Sequence, residues 1–354
     1  MTANTPQPTE AQIMLTLAYI ANLGSAVEGN DCQTAGTING MIESYLGSQP
    51  FVADEWDLVW GPYIYKIPFI ARYRDNTFYV VRSKADASRY VLAIAGTNPN
   101  EIFDWVFEDF MVGSMTDWPY GSSPDADGAK ISASAAFSLS ILHNAHPCPG
   151  LPGAGQTLKG FLLADAGGIT PNVTVTGHSL GGEMTTTAAL WLSDTRGPQP
   201  DDPSEEWNPD GKATVNAYAF AGPTAGNSKW ADYFNNHIAG TAQRIWNSLD
   251  IVPHVWNTHD LSQLPGLYRS GGIEMNDAEE IAVEAIRAAL FVSGNDYTQI
   301  MPAQRPLEGQ IDTTLGDSYL KQAGYQHVYA YPALLGVPWS WQNKTESAPG
   351  QSGS

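Results

Sequence analysis

The stretch VTVTGHSLGG at residues 173–182 decides the predicted fold. Val173 to Thr176 are β-branched residues typical of a strand, and residues 183–194 continue as a helix. Between them, residues 177–181 fit the pattern G-x-S-x-G, in which a sharp turn lifts the serine hydroxyl above the sheet. The flanking strand and helix therefore favour Ser179 as a nucleophile over the alternative, a glycine-rich turn that merely contains a serine.

Further strands and helices alternate on both sides of this stretch. Residues 77–83 and 90–95 read as neighbouring strands, and the second is apolar throughout, as a buried strand should be. Two more strands are predicted at 214–220 and 243–247. Helices are predicted at 9–28, 129–143 and 156–166. This alternation predicts an α/β fold with a mostly parallel central sheet.

Charge and composition exclude several classes of function. The 354 residues include 17 Lys+Arg and 37 Asp+Glu, a formal net charge of −20. Such a field repels phosphates and anionic headgroups, so we expect neither nucleic-acid binding nor electrostatic membrane docking. We also expect no transmembrane segment, because no stretch reaches the roughly 18 apolar residues of a membrane span.

Compartment and disulfide pairing stay open at this point. The apolar stretch 11–23 has no basic residue before it, so no signal peptide is predicted in the given sequence. We expect a cytoplasmic protein as the sequence stands, and a secreted one if a leader has been removed. Cys32 and Cys148 allow at most one disulfide, and their pairing is undecided.

The segment Ala95-Gly96-Thr97-Asn98 predicts part of an oxyanion hole. It follows the buried strand at 90–95, and a tetrahedral oxyanion needs two backbone N–H donors. One normally comes from the residue after the nucleophile, here Leu180, and Thr97 is placed to supply the other.

At this point the chain resembles the class 3 lipases, the fungal-type triacylglycerol lipase family of the α/β-hydrolase fold. The resemblance covers roughly 75–330, and the matching segments occur in the family's order. They are YVLAIAGT (90–97), Asp104-Trp105, VTVTGHSLGG (173–182), AFAGPTAGN (219–227), NSLDIVP (247–253) and GYQH (324–327).

The resemblance implies Ser179 as nucleophile, Asp250 of D-I-V-P as acid and His327 of GYQH as base, with Thr97 and Leu180 as oxyanion-hole donors. It also implies a single α/β-hydrolase domain over 1–345, with helices on both faces of the sheet. Two features depart from the family pattern: Ala95 stands where an arginine is usual, and the segment between Asp250 and His327 is unusually long.

Chain order supports the same choice of base and acid. Of the seven histidines, only His254, His259 and His327 follow Asp250, and His254 lies on the same loop as the acid. Because the base must approach the acid from another segment, His327 is preferred. Asp194 and Asp232 are alternative acids, but neither follows a strand.

Two segments are candidates for a lid over Ser179. One is 98–128, although a buried helix is the alternative interpretation of its apolar run. Its predicted acyl-chain contacts are Phe107, Phe110, Met111, Met115 and Trp118. The other is the helix at 276–292, whose predicted apolar side carries Ile281, Ile286, Leu290 and Phe291. That helix belongs to an insertion at 262–320, and residues 346–354 are predicted to be a disordered tail.

We expect no cofactor and no metal. The cluster His143, His146 and Cys148 resembles a metal site but lacks a fourth ligand. The predicted function is therefore hydrolysis of carboxylic esters by a serine mechanism, most simply by a lipase that acts on acylglycerols. The expected substrate is a lipid or a small ester, and a lipid–water interface is a further expected partner. The alternatives are a short-chain esterase, a phospholipase, a feruloyl esterase, or a hydrolase-like binding protein without turnover. The oligomeric state is left open.

Overall fold

The computed structural model describes residues 7–25, 27, 29, 31–65, 76–96, 113–121, 123–199 and 202–339. Several predictions lie outside these residues: Thr97, the lid residues Phe107, Phe110 and Met111, and the tail at 346–354.

A six-stranded sheet forms the centre of the described structure, in the order β1-β2-β3-β6-β7-β8. The pairs β1/β2 and β2/β3 are antiparallel, whereas β3, β6, β7 and β8 run parallel. A separate two-stranded ribbon joins β4 and β5. The strands are β1 (Trp56–Tyr65), β2 (Asn76–Ser83), β3 (Arg89–Ile94), β4 (Met115–Asp117), β5 (Lys130–Ser132), β6 (Asn172–His178), β7 (Thr214–Phe220) and β8 (Ala242–Ile245).

Helices cover both faces of the sheet, as predicted. One hydrophobic core packs α1, α2 and α10 against one face, and a second packs α3, α4, α5 and α6 against the other. The helices are α1 (Glu10–Asn22), α2 (Cys32–Leu46), α3 (Ala133–His143), α4 (Leu158–Ala166), α5 (Leu180–Asp194), α6 (Ser228–His237), α7 (Thr258–Leu261), α8 (Asp277–Ser293), α9 (Tyr319–Gly324) and α10 (Ala330–Leu335).

Two predicted helices differ from the structure at their ends. The helix predicted at 9–28 ends at Asn22, shortly before Gly24, a residue that weakens helices. The helix predicted from residue 129 begins at Ala133, because the Ser132 side chain accepts a hydrogen bond from Ala135 N–H and caps the first turn. Residues 130–132 before it form β5 instead.

A third hydrophobic core lies at the carboxyl edge of the parallel strands. Its buried members come from residues 251–323, including the insertion predicted at 262–320. It is joined to the end of β7, since Thr224 N–H donates to Val255 O and Gln299 Nε2 donates to Gly222 O. The insertion therefore sits on the same edge of the sheet as the end of β6, where the G-x-S-x-G motif begins.

Cys32 and Cys148 form a disulfide, which answers the question of their pairing. The bond joins the start of α2 to the loop after α3, across 116 positions of sequence. Among the described residues, no helix has the length and apolar character that a transmembrane span requires.

Candidate active site

Ser179 occupies a strained backbone position between β6 and α5. Its φ of 63° and ψ of −130° lie in a region that non-glycine residues rarely adopt. The turn is tight enough to require its glycines: a Cβ on Gly181 would lie 2.9 Å from the carbonyl of Ala95, and one on Gly177 would lie 2.8 Å from Ile94 O. The glycines at 177 and 181 therefore allow the turn to pack closely against the end of β3.

A buried carboxylate–imidazole pair lies close to this turn. His327 Nδ1 lies 2.8 Å from Asp250 Oδ2 and 3.0 Å from Oδ1, and neither side chain is exposed to solvent. Asp250 also accepts hydrogen bonds from Val252 N–H at 3.0 Å and from the Tyr331 hydroxyl at 2.7 Å. These two donors fix the position of the carboxylate, which in turn accepts a hydrogen bond from His327 Nδ1–H and orients the imidazole ring.

His327 lies in a π-helical turn, Tyr325–Tyr329, between α9 and α10. Such turns are rare and occur frequently at functional sites. Because Nδ1–H is directed at Asp250, Nε2 carries the lone pair. Within the described part of the chain, that buried Nε2 has no hydrogen-bond partner, so no bond to Ser179 Oγ is formed in this state.

His178 connects the turn at Ser179 to the segment that carries His327. Its Nε2–H donates to the His327 carbonyl at 2.8 Å, and the two imidazole rings are 4.7 Å apart. The rings of Tyr19 and Tyr331 pack edge-on against it. Burial, with the nearby His327 ring as a smaller cause, holds the pKa of His178 well below its usual value, so this histidine is neutral. These contacts indicate a structural role for His178.

The end of β3 packs directly against the turn at Ser179. A Cβ on Gly96 would lie 2.7 Å from Ser179 Cβ, so only glycine fits there. Gly96 N–H donates to Asn22 Oδ1 at 2.7 Å, which fixes the chain just before Thr97. On the other side, Leu180 is the first residue of α5, and its N–H belongs to the helix start, where no i−4 carbonyl within the helix is available.

The alternative acids and bases make other contacts or are exposed. The ring of His254 packs edge-on against Trp246, and His259 is exposed. Asp232 is exposed on α6. Asp194 accepts hydrogen bonds from Trp118 Nε1 and the Tyr233 hydroxyl, and it lies 2.8 Å from His237 Nε2. Burial raises the pKa of Asp194, but the structure does not bring it to His327.

Two of the predicted lid residues lie in the described part of the chain. Met115 is half-buried against the third core. Trp118 is 6% exposed within the core beneath α3 and α5, and its indole N–H is bonded to Asp194. For the rival helix, the predicted common apolar side divides: Ile286 and Leu290 are buried, whereas Ile281 and Phe291 point to solvent.

The sequence interpretation missed several residues that contact the site. Tyr331, four positions after His327, could have been found from helical spacing. Tyr19, whose hydroxyl donates to Val328 O, and Asn22 carry no local sequence signal, because they reach the site across 309 and 74 positions.

Two of the three residues that resemble a metal site in the sequence make other contacts. Cys148 is in the disulfide, and His143 Nε2 lies 2.6 Å from Glu205 Oε1. In the ranges that the structure describes, no three His, Cys, Asp or Glu side chains are grouped to hold a metal ion.

Two buried neutral histidines should make the protein sensitive to acid. Burial lowers the pKa of His178 and of His254 in the folded state, whereas an unfolded histidine has a pKa near 6.5. As the pH falls below about 6.5, the unfolded chain binds protons that the folded chain does not. We expect the free energy of unfolding to fall by up to about 1.4 kcal/mol per pH unit for each histidine. Urea unfolding at pH 7.5, 6.5 and 5.5 measures this slope, which should be shallower in His254→Gln; an equal slope in both proteins would contradict the assignment.

Comparison with known proteins identifies the family. The model of the family described as Lipase (class 3) matches residues 152–259. Among solved structures, M37 lipase is 37% identical over 93% of this chain and 93% of that chain, with a TM-score of 0.82. Lipase II from Rhizopus niveus is 20% identical over 71% of this chain and 75% of that chain, with a TM-score of 0.45. No curated protein sequence matches the chain. On the strength of the M37 lipase match and the family model, the chain belongs to the class 3 lipases, carboxylic-ester hydrolases of the α/β-hydrolase fold.

Proposed function

We propose that this lipase hydrolyses acylglycerol esters with Ser179 as nucleophile, His327 as base and Asp250 as the acid that orients the base. The observation that carries the proposal is the buried His327–Asp250 pair, whose Nε2 has no hydrogen-bond partner in the described residues. The segment that carries His327 is hydrogen-bonded to His178, the residue before the strained Ser179, and this supports a base close to that serine, as serine activation requires.

In the proposed reaction, Ser179 Oγ attacks the ester carbonyl while His327 Nε2 takes the hydroxyl proton. Asp250 stabilises the imidazolium that forms. The N–H groups of Leu180 and Thr97 donate to the tetrahedral oxyanion, and each lowers the activation free energy by roughly 3 kcal/mol. The imidazolium then protonates the leaving alcohol, and a water molecule, activated by the same imidazole, releases the fatty acid from acyl-Ser179.

We further propose that segment 98–128 contributes to the acyl-chain site. Among its described residues Met115 supports this, because it packs on the third core, as does Leu249, the neighbour of Asp250. Phe107, Phe110 and Met111 stay in the proposal as the remaining acyl contacts. Trp118 is left out, since its indole is packed in the core and bonded to Asp194.

The proposal is tested by hydrolysis of p-nitrophenyl esters from two to sixteen carbons, together with stoichiometric labelling by an alkyl phosphonate ester. We expect turnover, one phosphonyl group per chain on Ser179, and complete loss of activity on labelling. A short-chain optimum would indicate an esterase in place of a lipase. The absence of turnover on every ester, with Ser179 unlabelled, would support the hydrolase-like binding protein.

The proposed base predicts the pH dependence of activity. His327 must be unprotonated at Nε2 to accept the Ser179 proton, so kcat/KM for a soluble ester should fall as the pH is lowered. The profile should be recorded on a timescale shorter than acid unfolding, with recovery checked by returning the sample to neutral pH. A rate that stays flat down to pH 4 would rule out a histidine base.

Asn22 is predicted to position the loop that begins with Gly96. In Asn22→Ala, Gly96 N–H loses the acceptor that lies 2.7 Å away, and the loop loses its tether to α1. A lost hydrogen bond of this kind corresponds to about a tenfold change, so we expect kcat to fall about tenfold with KM little changed. Asn22→Asp keeps an oxygen acceptor and should retain most of the activity. Equal loss in both variants, or loss that tracks only the melting temperature, would contradict a positioning role.

A further inference from the structure

Helix α8 carries the most exposed large apolar side chains of the described structure. Phe291 is 85% exposed, Val292 84% and Ile281 69%. The other large exposed apolar residues, Phe137, Leu163 and Ile169, are 42–48% exposed. The apolar surface is therefore concentrated on one helix of the insertion.

The exposed residues of α8 form a stripe along one side of the helix. Its members are Ile281, Ala285, Ala288 and Val292, all exposed, with Phe291 beside the last of them. The spacing i, i+4, i+7, i+11 places the first four within an arc of about 60° and along about 16 Å of helix. The opposite side, Val283, Ile286 and Leu290, is buried in the third core. Helix α8 thus has two apolar sides, of which one is buried in the core and the other is exposed.

The position of α8 relates this surface to the proposed active site. The third core that holds its buried side includes Ile251 and Val252, which directly follow Asp250, and it packs against Val328, which follows His327. The exposed side therefore faces outward from the edge of the sheet that bears the proposed catalytic residues. Ile169 lies at the opposite edge, three residues before the first residue of β6.

We propose that the exposed side of α8, defined as Ile281, Ala285, Ala288, Phe291 and Val292 and called the docking face, binds the uncharged surface of an acylglycerol phase. This inference rests on the proposed function for its substrate. The docking face is fixed to the third core and acts without any movement of the helix.

Charge argues for an uncharged lipid surface. The net charge of −20 opposes anionic headgroups, and the first turn of α8 adds Asp277, Glu279 and Glu280. The stripe itself carries no charge, and the adjacent Glu284 and Arg287 are paired with each other at 2.6 Å. Binding would therefore come from burial of apolar side chains, in the manner of a helix that lies in a lipid interface.

The size of the docking face argues against a second copy of the chain as its occupant. A stripe of about 16 Å on a helix about 10 Å wide covers about 160 Å². A stable protein–protein interface buries about 800 Å² on each partner. A lipid surface has no such requirement, because partial insertion of a few large side chains is sufficient.

The test compares a docking-face variant with a matched control in the full chain. The first carries Ile281→Ser, Phe291→Ser and Val292→Ser; the control carries Leu163→Ser and Ile169→Ser. Activity is measured on monomeric p-nitrophenyl butyrate and on a tributyrin emulsion. Binding to triolein droplets coated with phosphatidylcholine is measured in the Ser179→Ala background.

For the docking-face variant we expect soluble-ester turnover within twofold of the wild type, and at least about a tenfold loss of emulsion activity and droplet binding. The control should match the wild type in all three measurements. Equal losses in the two variants, or a parallel loss on the soluble ester, would overturn the proposal. So would a wild-type dimer, seen by size-exclusion chromatography, that dissociates in the docking-face variant.

Failure of the proposed function gives a different pattern. If the wild type turned over no ester yet bound droplets through the docking face, the docking inference would stand and the catalytic proposal would fall.

Discussion

Ser179→Ala should lower kcat on p-nitrophenyl butyrate by about 10⁴- to 10⁶-fold. The variant keeps the turn and the Leu180 N–H but removes the only atom that can form the acyl-enzyme, so residual hydrolysis relies on oxyanion stabilisation and binding. Because Ser179 is 3% exposed and its hydroxyl does not cap α5, the substitution should leave the fold intact.

Ser193→Ala is the matched control for that variant. Ser193 is a buried serine of the same helix, and its hydroxyl has no hydrogen-bond partner among the described residues. We expect normal kcat. In addition, the double variant Ser179→Ala with His327→Ala should lower kcat no more than Ser179→Ala alone, since the effects of residues that act as a unit are not additive. If Ser179→Ala kept more than a few per cent of the activity, with wild-type contamination excluded, the assignment of Ser179 as the nucleophile would be disproved.

Asp250→Asn should lower kcat by about 10⁴-fold while the protein stays folded. Val252 N–H and the Tyr331 hydroxyl both donate to the carboxylate, so the amide oxygen of asparagine can replace only one of its two acceptor atoms. If that oxygen stays with Val252, the NH₂ group faces His327 Nδ1, which then accepts a hydrogen bond and moves its proton to Nε2. An imidazole in that tautomer cannot take the Ser179 proton.

Asp194→Asn and Asp232→Asn separate this assignment from the alternative acids. We expect Asp232→Asn, on the surface of α6, to keep normal kcat and stability. Asp194→Asn should weaken the buried contacts with Trp118 and Tyr233, which lowers the melting temperature and leaves kcat of the folded fraction unchanged. A loss of kcat in either variant that matches Asp250→Asn would place the acid elsewhere.

Local sequence patterns predicted the part of the fold that surrounds Ser179. β-branched residues before the motif, glycines at its two ends and a helix after it are all set within about twenty residues, and the structure contains β6, the strained turn and α5 in that order. The apolar strands at 77–83, 90–95 and 214–220 were predicted for the same reason, since their side-chain pattern is independent of distant contacts.

Strand β1 shows where local patterns fail. Its pairing with β2 shifts register between Leu58 and Trp60 and again between Trp60 and Tyr63. These irregularities break the alternation of buried and exposed side chains that identifies a strand in sequence. Because β1 was not identified, the antiparallel side of the sheet was missed. In the structure β1, β2 and β3 pair antiparallel, and the parallel arrangement begins at β3.

By itself, the sequence predicted that a serine is held at a strand–helix turn and that Asp250 and His327 follow it in the order typical of α/β-hydrolases. Only the tertiary structure decided that Asp250 and His327 meet across 77 positions, that Tyr331 and Asn22 support the site, and that α8 leaves one apolar side in solvent. The physical reason is that backbone geometry depends on neighbouring residues, whereas hydrogen bonds between distant segments and the exposure of a helix face depend on how the whole chain packs.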